Sequence, residues 1–181
     1  MCNYWTGLVT RDGKVHYSLR TESHEDLIKE AKVKDVKLVN RDLVRVEITP
    51  KEMPPNSLNM KDWVFKVDEE KTLPGWFTKA RGKHVKNCWK AWTVAVKQQV
   101  FLDGTHTIKD IQAKAWGSST VEAWGSSTVK AWGSSTVEAC GSSTVIKWSK
   151  DAKVTLKDQA VLVDRSGEKV VVKAEEKVTA K

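Results

Sequence analysis

No run of apolar residues in this chain is long enough to cross a bilayer. The opening Met1-Cys2-Asn3-Tyr4-Trp5 does not read as a signal peptide. Cysteine is scarce: Cys2, Cys88 and Cys140 lie too far apart for a disulfide framework or a zinc site. The four histidines, His16, His24, His84 and His106, are scattered and show no metal-ligand spacing. No phosphate-binding glycine-rich loop and no paired-carboxylate arrangement stands out. The expectation is a protein with no metal, no cofactor and no membrane partner, set in a reducing cytoplasm.

What the chain has instead is repetition. From Ala115 to Val145 it reads AWGSSTVE, AWGSSTVK, AWGSSTVE, ACGSSTV, with a period of eight marked by Gly117, Gly125, Gly133 and Gly141. A fixed period is the signature of a stacked array. Within a unit, Val121 and Ala123 alternate with Thr120, Glu122 and Trp124, the period-2 pattern of a half-buried strand. Glu122, Lys130 and Glu138 belong outside, so the tryptophans that share their face are expected outside too. Gly-Ser-Ser makes the corner, glycine supplying positive φ and serine a hydroxyl for nearby backbone. Eight residues cannot close a coil, so a turn of the resulting β-solenoid takes two units or three. The two-unit coil is favoured. It stacks Trp116, Trp132 and Trp148 on one side, about 4.8 Å apart, and Trp124 and Cys140 on the other.

The rest of the chain is built differently. Residues 4–10 and 14–19 read as strands of a hairpin joined through Asp12-Gly13. Ser23 caps a short helix that ends near Lys32, with Glu25 and Asp26 in its first turn. Residues 43–49 and 63–67 are strands, residues 53–57 a loop, and Pro74-Gly75 a turn. Over residues 78–98 the period becomes helical, with Val85, Cys88, Trp89, Trp92, Ala95 and Val96 on one face and Thr78 as N-cap. After the perfect repeats the beat continues more loosely, Ala152 and Ala160 eight apart, likewise Val154, Leu162 and Val170. Residues 160–163 and 169–172 flank a turn at Asp164-Arg165-Ser166-Gly167, and residues 173–181 read as a charged, frayed end. The fold class is therefore α+β. A small mixed α/β domain covers residues 1–99, a β-solenoid residues 100–175, and a charged tail residues 176–181. A hydrophobic fraction of 40% suits a chain of which about half is a thin solenoid.

Charge is localised. Of the net +8, residues 1–100 hold most, with 19 Lys and Arg against 13 Asp and Glu. Lys79, Arg81, Lys83, Lys86, Lys90 and Lys97 fall in residues 78–98, which contain no acid at all.

The AWGSSTVEAWGSSTVKAWGSSTVEACGSSTV run resembles octapeptide arrays in proteins of phages and gut-bacterial mobile elements. The segments MCNYWTGLVTRDGKV, SHEDLI, LVRVEITP and WVFKVDEE are similar to a small phage-encoded domain. The resemblance implies a phage accessory protein in the cytoplasm of a bacterial host and brings no activity or functional residues with it.

Four readings of function stand side by side. In the first, the chain is a non-enzymatic binding or interaction module that works through Trp116, Trp124, Trp132 and Trp148 and self-associates as a homo-oligomer or holds a host protein. In the second, Lys79, Arg81, Lys83, Lys86 and Lys90, with Trp89 and Trp92 for stacking, bind nucleic acid or sequester a small nucleotide. In the third, Cys2 becomes an N-terminal nucleophile after loss of Met1, as in a hydrolase; its MCNY opening faintly resembles that of N-terminal-nucleophile amidotransferases. In the fourth, the recurring Thr120, Thr128, Thr136 and Thr144 bind ice, although bulky residues share their face. The first is the main expectation, and no catalytic residue is assigned.

Overall fold

The structure, a computed structural model, describes residues 4–33, 42–53, 55, 57–68 and 73–174. The chain divides into two units, Met1–Lys97 and Gln98–Lys181.

In the first unit four antiparallel strands, β1 (Trp5–Thr10), β2 (Val15–His16), β3 (Leu43–Pro50) and β4 (Trp63–Val67), lie in the order β2-β1-β3-β4. The hairpin forms where Asp12-Gly13 demands it, with Gly13 at φ 84° and Val9 opposite Val15. Alternation along β1 and β3 gives the sheet two differently used faces. Leu8 and Leu43 on one face meet Leu27 of α1 (His24–Ala31). Ser23 caps α1 as expected, its hydroxyl accepting from the Asp26 amide at 3.3 Å, and Lys32 ends it at φ 53°. On the other face Trp63, 3% exposed, packs tilted at 5.1 Å against Trp92, which lies on the long helix that ends this unit.

That helical region departs from the expectation of one helix over residues 78–98. It is two helices, α2 (Gly75–Lys79) and α3 (Arg81–Gln99). Pro74 is the N-cap of α2 and not part of a turn. Thr78 sits inside α2, its hydroxyl donating back to the Pro74 carbonyl at 3.4 Å, and caps nothing. Proline is compatible with a helix start, and Phe77, fully buried and stacked on His84 at 5.2 Å, holds that turn. Along α3, Cys88, Trp92, Ala95 and Val96 are buried, while Val85 and Trp89 are half-buried. Among the described residues no helix is long and apolar enough to cross a membrane.

The second unit is a β-solenoid of about four turns. Its strands are β5 (Val100–Phe101), β6 (Thr105–Lys109), β7 (Gln112–Ala115), β8 (Thr120–Trp124), β9 (Thr128–Ala131), β10 (Thr136–Ala139), β11 (Thr144–Lys147), β12 (Lys153–Leu156), β13 (Val161–Asp164) and β14 (Val171–Ala174). Successive strands alternate between two sheets, ordered β12-β10-β8-β6 and β14-β13-β11-β9-β7-β5. Thr120 pairs in parallel with Thr136, and Thr128 with Thr144, so a coil takes 16 residues and two octapeptides. The later coils take 17, because Thr136 pairs with Lys153 and Thr144 with Val161. The additional residue lies in the corner from Trp148 to Ala152, which is one longer than Trp-Gly-Ser-Ser.

The core between the sheets is narrow, made of Val121, Val129, Val137 and Val145 with Ala123, Ala131 and Ala139, all fully buried. The loosened beat holds at Ala152, Ala160 and Leu162 and fails at Val170, which is 57% exposed. The reason is topological. After β13 the chain reverses and β14 pairs antiparallel to it, so residues 170–172 leave the core and the parallel stacking ends. Lys173 and Ala174 belong to β14 and not to a frayed end. The remainder of the expected tail, like Cys2, lies outside the described residues.

Candidate functional site

The corners that follow β7, β9 and β11 carry Trp116, Trp132 and Trp148. Each backbone amide is fixed by the preceding coil: Trp116 donates to the Phe101 carbonyl at 2.8 Å, Trp132 to Ala115 and Trp148 to Ala131, both at 2.9 Å. With the backbones held at coil spacing, the indoles stack. The Trp116 and Trp132 rings lie 4.2 Å apart and 1° from parallel, and Trp132 and Trp148 are 6.3 Å apart at 6°. The Arg165 guanidinium lies 5.5 Å from the Trp148 ring centre, within cation–π range. Arg165 is set there by its own amide, which donates to the Lys147 carbonyl at 2.8 Å.

Exposure grades along this column. Trp116 is 6% exposed, Trp132 half-buried and Trp148 43% exposed. The expectation that every tryptophan lies outside is therefore corrected at Trp116, which is buried although Trp132 covers one of its faces only. On the opposite edge Trp124 is 45% exposed, and its partner position holds the buried Cys140. The column ends at Trp148 and Arg165, beside the Lys147–Asp164 ion pair at 3.8 Å. Hydrogen bonds from the Ser166 hydroxyl and amide, aided by Lys147, hold the Asp164 carboxyl below the usual carboxylate range.

The outer faces of the two sheets differ in sign. Glu122 and Glu138 stand in register on one, and the half-buried Lys130 on the other, in register with Lys114, which is buried at 2% exposure. The stacked carboxylates are met by Thr107, which donates to Glu122 at 3.3 Å, and by Lys157, which donates to Glu138. That contact raises the Lys157 ammonium above its ordinary range.

In the first unit Lys79, Arg81, Lys83, Lys86 and Lys90 are all exposed. The aromatic half of that expectation is corrected. Trp92 is 1% exposed and packs between Trp63 and Trp89, so it offers no stacking surface, and Trp89 is half-buried against it at 5.3 Å. Burial pushes the Cys88 thiol up to about 12 and raises that of Cys140, so neither is a ready nucleophile.

Two groupings were not apparent in the sequence. The second serine of each corner (Ser119, Ser127, Ser135, Ser143) points inward and is at most 1% exposed. Ser127 and Ser143 donate to the carbonyls of Trp124 and Cys140 at 2.6 and 2.7 Å, closing the turn from within. The second grouping joins His24, Glu47 and Asp68, whose nitrogen and oxygen atoms lie within 4.8 Å of one another. The residues are far apart in sequence and no spacing rule links them; only the docking of α1 on the sheet assembles them. No family model, curated protein or solved structure matches this chain.

Proposed function

We propose that the chain is a non-catalytic binding protein whose working surface is the exposed part of the tryptophan column, Trp148 with Arg165. The observation that carries this reading is the parallel stack of Trp116, Trp132 and Trp148, which ends in a ring 43% exposed. A half-exposed indole already held by the rings beneath it has little conformational entropy left to lose on binding. With Trp132 on one face and the Arg165 guanidinium over the ring, it presents an apolar edge beside a cation, which suits the side chain of an aromatic or acidic partner residue. A second copy of the chain offers the same Trp148, so a symmetric homo-oligomer is the simplest assembly. The resemblance of the octapeptides to phage arrays supports a phage accessory protein in the cytoplasm of a bacterial host.

Native mass spectrometry of the protein drawn from such a host extract tests the reading. The wild type is expected as an oligomer or with a bound partner, and Trp148→Ala as a bare monomer with an unchanged β signal in far-ultraviolet circular dichroism. The same assembly and the same bound mass in both proteins would remove the column from function.

A second reading rests on the acid-free exposed stripe of Lys83, Lys86 and Lys90 on α3, with Lys79 and Arg81 before it. It is the footprint of a nucleotide or nucleic-acid contact, made through phosphate rather than through stacking on Trp92. Changing Lys83, Lys86 and Lys90 together to Glu is expected to abolish retention of any nucleotide and to leave a Trp148-dependent assembly intact. Nucleotide retained at the wild-type level would end this reading.

A further inference from the structure

The inward face of the first unit's sheet carries more polar chemistry than its packing requires. Residues opposite one another on neighbouring strands share a face, and Glu47 of β3 is flanked by Thr6 of β1 and Lys66 of β4. Asp68 follows β4 on the same alternation, its amide donating to the Arg45 carbonyl at 3.0 Å. This is also the face that α1 covers through Leu27, and α1 begins with His24. Three elements thus deliver an imidazole and two carboxylates to one place.

His24 is 4% exposed, and its two ring nitrogens do different work. Nε2 lies 3.2 Å from the Val46 carbonyl oxygen, an acceptor, so Nε2 carries hydrogen there. Nδ1 is turned to the acids, 3.3 Å from Asp68 Oδ2. A backbone carbonyl that holds one nitrogen in its N–H form, with the other aimed at carboxylates, is the arrangement that orients a ligating histidine. Opposite Glu47 on β1, Thr6, 4% exposed, has a hydroxyl with no hydrogen-bond partner among the described residues. A buried hydroxyl left in this state costs about 1–3 kcal/mol, and a metal-bound water across from Glu47 would satisfy it.

We infer that His24 Nδ1, Glu47 and Asp68 form a binding site for a divalent transition-metal ion, with Thr6 holding a water on that ion. One imidazole and two carboxylates select zinc, manganese, iron or cobalt over magnesium or calcium, which prefer all-oxygen sets, and over thiophilic ions. Bonds of about 2.1 Å place neighbouring ligand atoms roughly 3.0–3.4 Å apart. The 4.8 Å envelope must therefore contract, and the long, half-exposed Glu47 side chain is the part free to swing inward. Arg45 and Lys66 oppose the ion electrostatically. Arg45 is drawn toward Glu25 at 3.6 Å, and Lys66 is exposed to solvent.

The test uses the full chain, stripped with chelator and titrated with Co²⁺ followed by visible absorption, and separately with Zn²⁺ followed by thermal unfolding. A single saturable Co²⁺ spectrum and a rise in Tm with Zn²⁺ are expected. Glu47→Gln and Asp68→Asn keep size and shape while removing the charge, and each is expected to weaken binding by about 100-fold. Thr6→Val should weaken it by about tenfold with the fold unchanged. If Asp68→Asn fails to fold, Glu47→Gln decides, because that side chain is half exposed. No response to either ion at millimolar concentration would overturn the site. So would a response that survives Glu47→Gln, which would place the metal on His16, His84 or His106 instead.

Discussion

Val137→Asp is expected to unfold the solenoid, while Thr136→Asp, one residue earlier, is expected to leave it folded. Val137 is fully buried, in register with Val121 below and Val154 above, inside a core only one valine and one alanine deep per strand. Among the described residues the core cluster holds no cation that can pair with a carboxylate at this position. The charged form must be expelled or protonated, at a cost on the order of 4 kcal/mol or more. For a unit of this size that corresponds to roughly 20 °C in Tm. Thr136 points to the outer face and pairs with Lys153, so an aspartate there stays in water beside a cation. The pH dependence has a definite sign. Burial raises the carboxyl pKa of the folded Val137→Asp protein above its unfolded value, so the folded state holds the proton more tightly. Stability of that variant then rises as pH falls through the carboxylate range, opposite to the usual acid destabilisation. Thermal melts by far-ultraviolet circular dichroism at two pH values check both statements. Equal melting of the two variants would mean that the strand faces are assigned wrongly.

The contrast between neighbouring residues also marks how far the sequence could be read. Strand faces were legible because one repeat contains both a charge that must be outside and two small apolar residues that can fill a narrow core. Glu122 and Val121 decide the alternation without a structure. The hairpin at Asp12-Gly13 and the cap at Ser23 were legible because their chemistry is local. Coil size was less so, since two-unit and three-unit coils present the same octapeptide. What separates them is the corner angle, visible only in the pairing of Thr120 with Thr136.

The candidate sites show the same divide. Alternation treats Trp116, Trp132 and Trp148 as equivalent, whereas their exposure rises along the column from the buried Trp116 to Trp148, 43% exposed. Trp92 appeared available because it follows the basic stripe. A helical period says which residues share a face but not that Trp63 will cover them. His24, Glu47 and Asp68 come from three elements brought together by tertiary packing, and no one-dimensional pattern carries that information. Val170 kept the beat of eight, yet the reversal into β14 removed it from the core.

Gly133→Val is expected to be nearly as damaging as the buried aspartate, for a reason that lies in the backbone. Gly133 adopts φ 61°, and its counterparts Gly117, Gly125 and Gly141 have φ 54°, 65° and 67°. A β-branched residue in this left-handed region costs about 1–2 kcal/mol by itself. A Cβ at Gly133 would also stand 3.2 Å from the Gly117 nitrogen and 3.4 Å from its Cα and oxygen. Those are backbone atoms of the next coil, and they cannot retreat freely. The flanking bonds from Trp132 to Ala115 and from Thr136 to Ser119, both 2.9 Å, fix the coil spacing on either side. Strain and contact together amount to roughly 2–4 kcal/mol, or on the order of 10–20 °C in Tm for this unit. The ends of one corner column show which part is avoidable. Asp110 and Asp158 occupy the corresponding corner positions at φ 56° and 60°. Their carboxylates accept from the Ser126 amide at 2.9 Å and from the Gly141 amide at 3.0 Å. A short polar side chain is thus tolerated where the stack is about to end, because it caps backbone that no further corner glycine will meet. Gly133→Asn should accordingly lose less than Gly133→Val, retaining the contact penalty while relieving most of the torsional one. Gly167→Ala, with open space around it and no positive φ, should melt with the wild type. A Gly133→Val protein that melted within about 2 °C of the wild type would show that the corners yield, and that the glycine beat is not what holds the coils at stacking distance.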